Sequence, residues 1–230
     1  MSQLPFSVYD FFAYLAAGFI VLAAADYAFD GRWLLQNELT LVVGAFWVVA
    51  AYILGHIIAN LAGHILQRWI VRSWLRSSED VLFWENESKG FRRLFPGYHE
   101  RLPAATRTRI LTKAKRLAAE IEEPGRALFY HCFERVKHDE ATRERLNSFL
   151  NMYGFSRNAS LALLLSALIL IVGLITDDRR SGGTGDYAAW ASLAAALAGI
   201  GMFYRYLKFY REYTLEVFRS YAEKEEAGDK

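Results

Sequence analysis

Between Leu39 and Leu66 the chain is almost wholly apolar, yet every fourth residue from Tyr52 onward breaks that pattern. The series reads Tyr52, His56, Asn60, His64, Arg68, Arg72, Arg76, and beside it runs a second series of small residues, Ala51, Gly55, Ala59 and Gly63. Residues four apart are neighbours on a helix, so each series forms a ridge that drifts slowly round the axis. A run this long exceeds the roughly 20 residues needed to cross a bilayer core. The small ridge lets a second backbone approach closely, as packed membrane helices do. The polar ridge starts inside hydrocarbon, where polar and ionisable groups are costly, so it has to face protein or water. It ends as three arginines where headgroups and cytosol begin.

Three further runs have the same character. The first spans about Phe6 to Phe29, the third Ala159 to Thr176, and the fourth Tyr187 to Leu207. A cleaved leader is the competing reading of the first run, because Ala23-Ala24-Ala25 resembles a cleavage site; the absence of Lys or Arg ahead of it, the presence of Asp10 and its length favour a retained span. Ser7 and Asp10 fit the start of a helix as a capping pair. A second role for Asp10 is a pairing with His64 or Arg68 at the inner membrane boundary. In the fourth run Ala191, Ala195 and Gly199 are again four apart, predicting a tightly packed helix. Beyond it, Phe203, Tyr206, Tyr210, Tyr213, Val217 and Ser220 alternate by threes and fours, a coiled-coil-like extension into the cytosol.

With 53% apolar and 23% charged residues, the chain is divided into very apolar and very polar parts. The polar part is a helical domain predicted over 77–156. One helix runs from Leu102-Pro103 to about Glu122, with Ile110, Leu111, Ala114, Leu117, Ala118 and Ile121 inward. A second over 126–138 buries Leu128, Phe129, Cys132, Phe133 and Val136, and a third, capped by Asp139, ends near Gly154 with Leu146, Phe149, Leu150 and Tyr153 as its stripe. So small a core is expected to lean on the membrane helices or on another subunit. Residues 1–76 hold the first two spans, the second extended into the cytosol with Trp69 and Trp74 as interface anchors. Residues 157–221 hold spans three and four with the helical extension, and 222–230 read as a disordered tail.

Orientation follows from charge. The stretch from Arg68 to Arg157 carries 18 of the 27 basic residues and the end of the fourth span with the tail after it carries 6, while the two short connections hold 1 and 2. The positive-inside rule places the polar domain and both termini in the cytoplasm. Lone Cys132 excludes an internal disulfide and suits a reducing compartment.

No nucleotide-binding loop, zinc-protease, serine-hydrolase or paired-cysteine pattern is present, so no enzyme and no cofactor is expected. His131, Cys132 and His138 lack the spacing and number of ligands that a metal site needs. Two signals remain. The polar ridge Tyr52, His56, Asn60 and His64 either braces the helix bundle by hydrogen bonds or, in an oligomer, lines a water-filled pathway whose opening a histidine makes pH-sensitive. The second signal is basic: Arg109, Lys113 and Arg116 share one helix face, with Arg92, Arg93 and Arg101 just upstream. Between Arg68 and Arg157 there are 12 acidic residues against the 18 basic, a local net of +6. Contact with anionic membrane lipid accounts for such a bias. The alternative is a site for a phosphate-bearing ligand, a nucleotide or oligonucleotide.

Tyr9-Asp10-Phe11-Phe12-Ala13-Tyr14-Leu15 at the start of the first span and Tyr153-Gly154-Phe155-Ser156-Arg157-Asn158 entering the third carry a resemblance. The chain resembles a loose group of bacterial four-span membrane proteins with a cytosolic insertion between spans two and three. Proteins of this build serve as membrane effectors in anti-phage defence, where a cytosolic signal triggers permeabilisation. Ala17 stands where the group's pattern has a proline before Gly18. The resemblance implies an oligomeric ion channel or pore. A membrane-anchored scaffold that recruits a cytosolic partner protein, without transport, is the alternative.

Overall fold

The structure, a computed structural model, describes residues 8–31, 40–84, 89–117, 125–176 and 184–224. Every regular element among them is a helix. In order they are α1 (Val8–Ala28), α2 (Leu41–Ala62), a π-helical segment (Gly63–Leu75), α3 (Ser78–Val81), α4 (Lys89–Leu94), α5 (Ala104–Leu117), α6 (Arg126–Val136), α7 (Glu140–Thr176) and α8 (Thr184–Glu223). Four of these helices are long and apolar enough to cross a membrane: α1, α2 with its continuation, α7 and α8. The chain is an all-α, multi-pass membrane protein. It divides into two compact units, one made of 1–68 and 154–206, the other of 69–153 and 207–230.

Small residues hold the first unit together. Gly18 of α1 meets the backbone of Ala51, and Gly55 of α2 meets the backbone of Tyr14, so the two helices run antiparallel in near-backbone contact. Gly173 of α7 receives Ala28 of α1 in the same way, and Gly199 of α8 receives the Leu164 side chain. Serines add interhelical hydrogen bonds where a carbonyl is within reach: Ser166 Oγ donates to Ile20 O at 3.3 Å, Ser160 Oγ to Gly199 O at 2.8 Å, and Ser192 Oγ to Ala167 O at 3.1 Å. Thus α1 packs on both α2 and α7, and α8 packs on α7. The packed line of α8 is Ala188, Ser192 and Gly199; Ala191, expected on that line, is exposed.

Thr40 starts α2, its side chain accepting from Val43 N at 3.3 Å. After Ala62 the bonding changes to i→i+5, and the buried positions change period with it: Ala62, Leu66, Val71 and Leu75 are spaced by four, five and four. The segment stops at Arg76, which takes the left-handed conformation at φ 64° and whose carbonyl accepts from Tyr98 Oη at 2.9 Å.

A core cluster forms in the second unit. Leu82 and Phe83, Ile110 and Ala114 of α5, Leu128, Phe129, Cys132 and Val136 of α6, and Leu146 of α7 close around Leu215, Val217, Phe218, Tyr221 and Ala222 of α8. The end of α8 therefore completes the polar domain, and three expected boundaries move. The domain of 77–156 gains the stretch beyond Tyr206, because α5 and α6 are too short to bury their own apolar faces. Helix continues to Glu223 and buries Ala222, so a disordered tail does not begin at 222. Gly154 ends nothing: α7 runs through it, capped at its start by Asp139, whose Oδ2 accepts from Thr142 N at 2.8 Å. Of the inward positions expected on α7, Leu150 is exposed, while Ala118 and Ile121, expected on the helix that begins after Pro103, lie outside the described residues.

Candidate functional site: an exposed polar ridge and a basic helix face

Packing of α1 against the glycine face of α2 decides where the polar ridge goes. Ala51, Gly55, Ile58, Ala59 and Ala62 are buried. Tyr52, on the next ridge, is half-buried, and His56, Asn60 and His64 are exposed. They share the outer surface of α2 and of the first turn after it with Ile53, Ile57, Leu61 and Ile65. Three groups that bond water or protein thus sit on an otherwise apolar outer wall, where lipid offers them no partner.

Local contacts orient the ridge without satisfying it. His56 stacks on Tyr14 of α1, ring centroids 4.1 Å apart and planes 25° from parallel, and meets Tyr52 edge-on at 4.6 Å. Phe11 extends this aromatic group, its ring 5.1 Å from that of Tyr52. His64 Nδ1 lies 3.0 Å from the backbone oxygen of Asn60. In the neutral ring that acceptor requires the proton on Nδ1, which leaves Nε2 carrying a lone pair. The Asn60 backbone takes up this bond and its carboxamide does not. The ridge therefore offers an amide and an imidazole acceptor, matched to water or to another polar helix.

The Asp10 side chain lies outside the described residues, and with it the expected pairing to Arg68, which is exposed. The contacts of Tyr14 with Gly55 and of Ala51 with Gly18 set a register that brings residue 10 level with residue 59. Two charged positions of this unit were not among the expected site residues. Asp26 is only 6% exposed near the end of α1, and a carboxylate so far inside the apolar run was the available signal. Arg157, at the start of the third apolar run, donates from Nη1 to Gln67 Oε1 at 2.7 Å and packs beside Gly63. Nothing local in the sequence announces that partner, 90 residues away.

In the second unit the expected basic triad is split. Arg109 and Arg116 are exposed on α5, but Lys113 turns inward. Its Nζ donates to Tyr221 O at 3.0 Å and to Lys224 O, and lies 4.9 Å from the centre of the Tyr221 ring. A cation there satisfies carbonyls that the last turn of α8 leaves without helical partners and offsets the negative end of its dipole. Lys224 does the same for α6, donating from Nζ to Arg135 O at 2.8 Å. The outward cation is Lys115, which shares an exposed face with Thr108, Arg109, Thr112 and Arg116. Its signal was the side opposite Ile110 and Ala114. Arg93 and Arg101 are exposed; the Arg92 side chain is outside the described residues.

His131 and Cys132 have structural surroundings. His131 Nε2 is 3.3 Å from Tyr221 Oη, and burial, with Arg135 nearby, pushes its pKa below the usual histidine value. Burial raises the Cys132 thiol to about 12, with Lys113 as the smaller opposing influence. A thiol so protonated is not a nucleophile at neutral pH. Among the described residues no three His, Cys, Asp or Glu side chains gather as metal ligands. Comparison with protein-family models, with curated proteins and with solved structures finds no match to this chain.

Proposed function

We propose that this protein is an oligomeric bacterial inner-membrane effector that permeabilises the membrane when a cytosolic anionic ligand or partner acts on its basic domain. The observation that carries the reading is the exposure of His56 and Asn60 on the outer wall of α2 and of His64 just beyond it. Lipid is a poor solvent for an amide and two imidazoles, so neighbouring copies, with water between them, are their natural surroundings. Four helices in one copy are too few to enclose a wide channel, and several α2 helices around an axis supply a polar wall. The exposed cations Arg109, Lys115 and Arg116, with Arg93 and Arg101, suit phosphate groups on the trigger. Both termini and the basic domain then lie in the cytoplasm, and anti-phage defence is a setting that uses such a device.

A second reading, a membrane-anchored scaffold without transport, draws support from Trp84, Leu94 and Tyr130, exposed on the second unit where a partner protein would dock. Potassium and dye release separates the two. Wild type and His56→Leu/Asn60→Leu are compared at matched membrane levels during induced expression and during phage infection. Release from wild type that the double variant abolishes is the expected result. Equal release from both, or none from wild type under either condition, rejects the pathway.

A further inference from the structure

Directly after α2, the π-helical segment turns two of the largest apolar side chains outward: Trp69 is 72% exposed and Trp74 65%. On its opposite side Val71 and Leu75 are fully buried. The i→i+5 register makes the two tryptophans neighbours, since residues five apart then share a face. In an α-helix five residues advance about 1.4 turns, and Trp74 would swing away from Trp69 toward the side of Val71. Arg72 is exposed on the other flank of Trp69, and Arg76, exposed, closes the segment. The sequence from Gly63 to Leu75 contains no carboxylate.

We infer that this outer face is a binding surface for anionic phospholipid headgroups, with Trp69 and Trp74 set into the headgroup layer and Arg72 paired with lipid phosphate. The occupant follows from what surrounds the face. Helix continues without a break from the apolar α2 through Gly63, whose backbone N–H still bonds to Ala59 and Asn60. A helix leaving hydrocarbon meets headgroups next. An indole has an apolar body and a single N–H donor, which suits a layer that is part lipid and part water. A guanidinium offers paired donors to phosphate, and a segment of one charge sign selects anionic over zwitterionic lipid. The tryptophans supply insertion and the arginine supplies headgroup selectivity, whether or not the protein conducts.

The test uses the full-length protein in vesicles of phosphatidylcholine and phosphatidylglycerol that carry a lipid spin-labelled at its headgroup. Fluorescence quenching of wild type is compared with Trp69→Phe and Trp74→Phe, so that the differences report each of these two among the six tryptophans. Quenching of both by the headgroup label is expected. Failure of the label to quench them overturns the inference, and iodide in the aqueous phase then separates side chains held in water from side chains covered by protein. Lipid selectivity is read separately from immobilised spin-labelled phosphatidylglycerol. Arg72→Gln is expected to lower the preference for phosphatidylglycerol about fivefold, the equivalent of about 1 kcal/mol for one basic residue at an anionic surface. Arg72→Lys is expected to retain most of it. Unchanged selectivity in Arg72→Gln removes the phosphate pairing.

Discussion

The carbonyl oxygen of Tyr14 occupies the space where a side chain on Gly55 would begin: a Cβ there would lie 1.9 Å from it. The relationship is reciprocal, because a Cβ on Gly18 would lie 1.8 Å from the Ala51 carbonyl. Each helix thus brings one glycine to the other's backbone, four residues from the position at which its own backbone is met. Close contact of this kind replaces the hydrophobic drive that is missing between helices in lipid, and it permits Cα–H to carbonyl contacts.

Gly55→Ala must therefore push α1 and α2 apart. The expected loss is about 1–3 kcal/mol, the usual cost of overpacking, read as a lower thermal midpoint of the purified protein in detergent. Gly44 lies on the same helix with nothing within 4 Å of its would-be Cβ. Gly44→Ala is expected to be neutral or to stabilise by up to about 1 kcal/mol through helix propensity.

Gly55 shows how far sequence reasoning reaches. Its place in a four-residue series of small residues was enough to predict a close helix contact, because periodicity is local. The partner was not legible: nothing around Gly18 names Ala51. Lys113 shows the opposite limit, since its spacing with Arg109 and Arg116 ignores a carbonyl 108 residues away that draws it inward. The change to i→i+5 bonding after Ala62 was hidden for a related reason. Residues four apart stay outward in either register, so Arg68, Arg72 and Arg76 look the same in both, and only the buried Leu66, Val71 and Leu75 report the change.

Lys113→Met removes the cation at the end of α8 and leaves the carbonyls of Tyr221 and Lys224 without that donor. A hydrogen bond to a charged group contributes about 1.5–3 kcal/mol, and the partly solvated site favours the lower end. Lys115→Met, on the exposed face, is expected to change stability by less than about 0.5 kcal/mol. Thermal unfolding of the two variants side by side measures the difference.

Alkali should loosen the second unit. Cys132 is raised from 9.0 to about 12 and Tyr213 from 10.0 to about 12, each by burial first. Folding thus favours the protonated forms. Their contribution is full below pH 9 and is lost as the pH rises from about 9 to about 12, because the unfolded chain releases these protons first. Stability that is flat up to pH 9 and then falls, measured by circular dichroism, is the expected profile. Thiol labelling at neutral pH should be negligible in the folded protein and complete on unfolding.

Charge reversal at Arg109, Lys115 and Arg116 separates ligand recognition from folding, because all three are exposed. The triple glutamate variant is expected to reach the membrane at wild-type level and to lose triggered potassium release. Release equal to wild type would remove these cations from the trigger site.

In the proposed assembly other copies of the chain cover the polar ridge, and Asn60→Cys reports that contact. Native Cys132 is fully buried, so the introduced thiol is the reactive one. Disulfides need Cα atoms within about 7 Å, and α2 helices meeting along their ridges satisfy that. Mild oxidation of intact membranes is predicted to give covalent dimers of Asn60→Cys, and monomers of Leu197→Cys on the exposed wall of α8. Asn60→Cys that stays monomeric, or cross-links no better than Leu197→Cys, would mean that the ridge is not covered by other copies.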